Sequence, residues 1–254
     1  VTGFSADWLA LREPADAAAR DPALRIEAAA YADRRAGFIL DLGCGTGSTV
    51  RALPIAPARW RLVDNDPRLL AEAARRTGAE TVAADLAELD PALFEGAALV
   101  TASAVLDLVS GPWLEALVGH LASARAGLYA ALNYDGRMLW DAAHPLDPVI
   151  VAAFNAHQSG DKGFGPALGP EAATALSAIM ELYGYRVASG ASDWRLGPGD
   201  AALLQLFLEG VANAVRETGE LDPPAVDDWL AHRLSTIPTT RCTVGHVDLL
   251  CLPG

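Results

Sequence analysis

The run Phe38-Ile39-Leu40-Asp41-Leu42-Gly43-Cys44-Gly45-Thr46-Gly47 limits the fold of this chain more than any other stretch. Its apolar first half reads as a buried strand that ends on an acid and breaks into glycines at alternate positions. A glycine-rich turn after a buried strand lets a ligand approach the backbone, and the helix that follows offers unpaired N–H groups at its start. The spacing of the glycines then separates one ligand class from another. A dinucleotide fingerprint requires G-x-G-x-x-G so that a pyrophosphate rests on the helix N-terminus, and here the last of those slots is Ser48. Asp41 would also repel a pyrophosphate, because Coulomb terms are large at a few ångströms in a partly desolvated cleft. An NAD-dependent oxidoreductase is disfavoured on both counts. A positively charged cofactor suits the acid better.

Asp41-Leu42-Gly43-Cys44-Gly45-Thr46-Gly47 resembles the first motif of the class I S-adenosylmethionine-dependent methyltransferases, and the likeness runs from about Gly37 to Asn133. Trp60 to Asp64 reads as a second strand ending in an acid, followed by Asn65-Asp66-Pro67 and a helix. Glu80 to Ala84 leads into Asp85-Leu86, and Ala97 to Thr101 leads into the stretch from Ala102 to Leu108. The resemblance implies a cofactor, S-adenosyl-L-methionine, held by Asp41, Gly43, Cys44 and Gly45 at its methionine and sugar. It further implies Asp64 with Asn65 at the ribose, Asp85 and Leu86 at the adenine, and Ser103 and Asp107 where cofactor and substrate meet. Arg20 is expected to reach the methionine carboxylate if the N-terminal helices fold over the cofactor.

Strand and helix patterns alternate after residue 36: strands at 37–42, 59–64, 80–84, 97–101 and 126–132, with helices at 47–53, 67–76 and 111–122. Such alternation implies crossover connections and a parallel sheet covered on both faces, with ligands at the carboxyl ends of the strands. The expected fold is α/β: a doubly wound, mostly parallel, seven-stranded Rossmann-like sheet with an N-terminal helical cap and helical insertions. The chain is expected to form one domain over 1–254. Within it, 1–35 would be the cap, 36–133 the cofactor-binding core, and 134–170 and 196–240 inserted cap or substrate segments. The segment from Ser5 to Ala32 reads as two helices around Glu13-Pro14, with Asp21-Pro22 as the start signal of the second. Beyond Asn133 the alternation stops, and Tyr134 to Pro170 reads as a long irregular segment of the kind that carries function. A helix at 171–183, a strand from Tyr185 to Trp194, a helix over 200–218, a shorter helix from Pro223-Pro224 and a last strand from Gly245 to Leu252 complete the pattern.

Length and composition add boundaries. At 254 residues the chain is long enough for one sizeable core. Its net charge of -13 and scattered basic residues disfavour nucleic acid as a partner. No apolar run approaches a membrane span and no signal-like segment opens the chain, so a cytoplasmic protein with no membrane partner is expected. The three cysteines, Cys44, Cys242 and Cys251, cannot all pair, and reduced thiols are the simplest account. The helices near the end of the chain suit part of a lid or the face of a homodimer.

Methyl transfer from a sulfonium needs alignment, exclusion of water and, for some acceptors, removal of a proton. The expected function is methylation of an oxygen or nitrogen of a small-molecule metabolite. The alternative is a non-catalytic cofactor-binding module or partner subunit. His157 is the expected general base, because an unperturbed imidazole takes a proton near neutrality, with Tyr134 second. Asp107, His144, Gln158 and Lys162 are candidates for contact with the acceptor. A metal site from His144, His157 and Asp161 matches no ligand spacing, and no metal is expected.

Overall fold

The computed structural model describes residues 5–254; residues 1–4 of the expected cap lie outside the described residues. Two helices come first, α1 (Ala6–Ala19) and α2 (Pro22–Asp33). The chain then alternates through β1 (Phe38–Leu42), α3 (Ser48–Ala52), β2 (Trp60–Asp64), α4 (Pro67–Thr77), β3 (Glu80–Ala83), β4 (Ala97–Ser103), α5 (Gly111–Ala124) and β5 (Gly127–Trp140). It closes with α6 (Asp147–Gln158), α7 (Ala172–Leu182), β6 (Tyr185–Ala191), β7 (Trp194–Leu196), α8 (Ala201–Thr218), α9 (Pro223–Thr236) and β8 (Cys242–Pro253). The strands form one sheet in the order β3-β2-β1-β4-β5-β8-β6, and β7 is an eighth, short strand paired to β8. The pairs from β3 through β5 are parallel, and β8 runs antiparallel to β5, β6 and β7. Among the described residues no helix is long and apolar enough to cross a membrane.

Alternate strand residues face opposite sides, and the two faces fill separately. Leu40, Leu42, Val100, Ala102, Leu128 and Ala130 pack with α5 and α7. Ile39, Leu62, Leu99, Tyr129 and Ala131 pack with α2, α3 and α4. A third apolar cluster joins Tyr134 and Met138 of β5 to α6, β7, α8 and α9, with Trp8 and Leu11 of α1 against it. This third cluster is the cap over the strands' carboxyl ends. Connections diverge between β1 and β4, so the cleft where ligands sit on such sheets lies there.

Three departures from the sequence reading shape the site. The helix α1 runs through Pro14, and Arg20 and Asp21 connect it to α2, whose N-cap is Asp21 accepting from Leu24 N. Packing of Trp8, Leu11 and Ala15 on the third cluster carries α1 past a residue that removes one helix hydrogen bond. The strand β5 does not stop near Leu132. It breaks register around Leu132, whose φ is 58°, and again between Tyr134 and Met138, then continues to Trp140 opposite an early start of β8. The expected strand from Tyr185 to Trp194 is two strands separated by Ser192 and Asp193.

Candidate functional site

Asp41 lies one residue before the end of β1 and is buried, with Oδ1 accepting from Thr101 Oγ1 at 2.6 Å. Its Oδ2 is buried with no partner among the described residues. Burial pushes the carboxyl up to about 7, against the pull of the Thr101 hydroxyl and the Arg20 guanidinium. Arg20, between α1 and α2, is also buried, and its Nη2 donates to Ser103 Oγ at 3.1 Å. Thr49 Oγ1 lies 3.2 Å from the same Ser103 oxygen. Arg20 Nε and Nη1 have no partner among the described residues. A buried acceptor and two buried donors left open are costly unless a ligand completes them. An amino-acid zwitterion does so: an ammonium for Asp41 and a carboxylate for Arg20.

The loop after β1 is held by the next strand. Gly45 N donates to Asp64 Oδ2 at 2.9 Å, Asp66 N donates to Asp64 Oδ1 at 3.0 Å, and Cys44 N donates to Val63 O at 3.0 Å. Gly43 and Gly45 have φ of 65° and 53°, conformations that a side chain disfavours. Each is also closely covered: a Cβ at Gly43 would lie 2.9 Å from Val105 Cγ2, and one at Gly45 would lie 3.0 Å from Leu9 Cδ1 of α1. Asn65 is exposed beside buried Asp64. Asp85 is exposed and its Oδ1 accepts from Ala87 N, while Leu86 is buried with its carbonyl accepting from Trp113 Nε1. Cys44 is buried, and desolvation pushes its thiol up, so it stays uncharged.

A cavity of about 500 Å³ opens one residue beyond Ser103. Its wall includes Ala104 and Asp107 after β4, Leu132, Tyr134 and Met138 of β5, Trp8 and Arg12 of α1, and Phe207 and Val211 of α8. Ala104 and Leu132, both at positive φ without being glycine, lie in this wall, where backbone strain of about 1–3 kcal/mol per residue often marks a ligand site. Asp107 is buried, and desolvation raises its carboxyl to about 6 against the charge of Arg12. Tyr134 donates its hydroxyl to Asn155 Oδ1 at 2.8 Å, and burial, with Asp135 and Asp107 nearby, pushes the phenol up. It is a neutral donor rather than a base at ordinary pH.

The geometry corrects the expected base and part of the acceptor set. His157 is absent from the cavity wall; its Nε2 lies 2.9 Å from Glu217 Oε2 and its Nδ1 3.2 Å from Lys162 Nζ. The helix α6 turns its neighbour Gln158 toward the cavity instead. Lys162 is likewise outside the wall, its ammonium disfavoured by partial burial. His144 precedes α6, where its Nδ1 accepts from Leu146 N and its ring lies 4.7 Å from that of His232. His144 and His157 therefore sit at opposite ends of α6, and the structure does not gather them with Asp161.

His246, which is not among the expected site residues, lines the cavity from β8. Its Nδ1 lies 3.0 Å from Val244 O, an atom that only accepts, so the proton sits on Nδ1 and Nε2 is left as an acceptor. Desolvation, then the charge of Arg12, pulls the imidazole down to about 4, so it is neutral near pH 7. Trp8 and Arg12 were likewise missed as wall residues. The signal for His246 lies in the pairing of Tyr134 with His246, which requires the extension of β5.

The methyltransferase-domain family matches residues 39–125, which span β1 through α5. No curated protein matches the sequence. Among solved structures, the YcgJ protein of Bacillus subtilis is similar at 12% identity, covering 92% of this chain and 100% of that one, with a TM-score of 0.51. The cyclopropane synthase MmaA2 of Mycobacterium tuberculosis is similar at 10% identity, covering 98% and 94%, with a TM-score of 0.52. These two share the fold. The glycine loop and the acids at the ends of β1 and β2 fall within the segment, residues 39–125, that matches the methyltransferase-domain family.

Proposed function

We propose that this chain methylates an oxygen or nitrogen of a small molecule held in the cavity between β5, α1 and α8. The observation that carries the reading is adjacency: Ser103 belongs to the Asp41–Thr49–Arg20 group, and Ala104, the next residue, begins the cavity wall. Asp41 and Arg20 hold the amino-acid end of the cofactor, Asp64 with Asn65 faces the ribose, and Asp85 with Leu86 borders the adenine. The bound cofactor supplies an electrophilic methyl group. The chain's part is to anchor the donor, align the acceptor, exclude water with the third apolar cluster and receive a proton where the acceptor must lose one. A cavity of about 500 Å³ lies within the usual range for small-molecule sites.

Calorimetric titration with S-adenosylhomocysteine tests the donor half, and transfer of labelled methyl groups into a metabolite extract tests the acceptor half. Saturable binding with a labelled small-molecule product supports the reading. Binding of NAD(H) with no binding of S-adenosylhomocysteine overturns it.

A further inference from the structure

We infer that the acceptor is an apolar amine, docked as an ammonium against Asp107 and deprotonated there. This deepens the proposed function and rests on it for the methyl-transfer step. Several polar groups of the cavity wall already have partners. Tyr134 donates to Asn155, Trp194 Nε1 donates to Asp16 Oδ1 at 2.9 Å, and Arg12 binds both oxygens of Asp16 at 2.9 and 3.2 Å. Those donors are engaged. The one buried side-chain atom of this wall without a partner among the described residues is an acceptor, Asp107 Oδ1, and His246 Nε2, which carries no proton, is a second acceptor. A ligand that satisfies these two acceptors must bring N–H or O–H donors.

Charge points the same way. The Arg12 cation is matched by Asp16, and its guanidinium lies 5.0 Å from the Trp194 ring. Asp107 has no ion pair among the described residues, and Arg12, already paired with Asp16, acts on it only through its charge, so the three groups together carry one excess negative charge. Around it stand Trp8, Tyr134, Phe154, Trp194 and Phe207, whose ring faces attract a cation and whose bodies accept an apolar frame. An ammonium therefore meets the acceptors, the charge and the surface, whereas an alcohol meets the acceptors and the surface but not the charge.

An ammonium has no lone pair to attack with, so it must lose a proton first. An N–H bond breaks, its electron pair stays on nitrogen, and the proton passes to the Asp107 carboxylate. The amine pair then forms the bond to the methyl carbon as the carbon–sulfur bond of the donor breaks with its electrons on sulfur. The product is again a cation, and Asp107 returns its proton to solvent. The other charged or titratable groups of the cavity wall are Arg12 from α1 and Tyr134 from β5, both coupled to Asp107 through charge, and His246 from β8. Of these, Arg12 stays charged, Tyr134 neutral, and His246 neutral above about 4. The titration of Asp107 near 6 thus governs docking, which weakens as the pH falls through that value.

The test is calorimetric binding of 2-phenylethylamine and its uncharged counterpart 2-phenylethanol to the full chain. The amine is expected to bind at least about tenfold more tightly, as a charge-assisted contact over aromatic faces requires. Asp107→Asn should abolish that preference, and Asp107→Glu should restore it. Equal affinity for the two probes, no binding of either at millimolar concentration, or a preference that survives Asp107→Asn overturns the inference. S-adenosylhomocysteine binding by the unmodified protein separates the two readings. Its loss beside an intact amine preference removes the proposed function, and its presence without that preference removes only the amine.

Discussion

Replacing Arg20 with Met separates a residue kept for binding from one kept for folding. Arg20 is almost fully buried, with one hydrogen bond to Ser103 and two nitrogens that have no partner among the described residues. Met fills a comparable volume and removes the open donors. The lost Ser103 bond, about 1 kcal/mol, is set against the relief of burying a cation whose donors are partly unmet. Unfolding stability should therefore change by no more than about 1 kcal/mol in either direction. The ligand contact behaves differently. Charge-assisted bonds from the guanidinium to a carboxylate contribute about 1.5–3 kcal/mol, so S-adenosylhomocysteine should bind about 10- to 150-fold more weakly. Urea denaturation and calorimetric titration on the same preparation read the two quantities. An affinity within about twofold of the unmodified protein, or a stability loss of about 3 kcal/mol or more, would refute the reasoning, since Arg20 would then be a structural strut.

Because the Asp41 carboxyl is raised to about 7 from 3.8 by burial, its contribution to stability is fully present below about 3.8 and is lost as the pH rises through about 7. Ligand binding runs the opposite way, since an ammonium needs the ionised carboxylate: affinity for S-adenosylhomocysteine should rise with pH through about 7, and Asp41→Asn should flatten both profiles; a pH-independent affinity in the unmodified protein contradicts this. Asp64→Ala should weaken S-adenosylhomocysteine binding by about 1 to 3 kcal/mol, through loss of charge-assisted acceptors for the ribose and release of Gly45 N. Unchanged affinity in the titration takes Asp64 out of the site. His157→Ala should leave methyl transfer within about twofold, because the ring pairs with the exposed Glu217 carboxylate and lies off the cavity wall. A tenfold or larger fall in labelled product, about 1.4 kcal/mol, would put His157 back in the chemistry.

The positions that the sequence could place in the fold are those whose contacts are local. Asp41 and Gly43 belong to one strand-to-turn unit, and Asp66, directly before Pro67, accepts from Arg68 N at the start of α4. Asp64 could be placed because the acid directly ends its strand. The acceptor chamber was not legible in the same way. Tyr134 meets His246, and Met138 meets Val244, only because β5 crosses two register breaks and β8 begins early to pair with it. Asp135-Gly136 has the composition of a turn yet sits inside the strand. The helix α6 lies inside the stretch read as irregular, and which of His157 and Gln158 faces inward depends on α8 packing beside it. Nothing local to residues 147–158 carries that information.

One helix ties the two halves together. Leu9 rests on Gly45, while Trp8, its immediate neighbour, and Arg12, one turn on, belong to the chamber wall. On the proposed function, drift in the choice of acceptor that proceeds through Trp8 would thereby be mechanically joined to the proposed seat of the donor. Retuning that leaves the donor alone must come instead from the opposite wall, at Phe207, Gly210 or Val211 of α8.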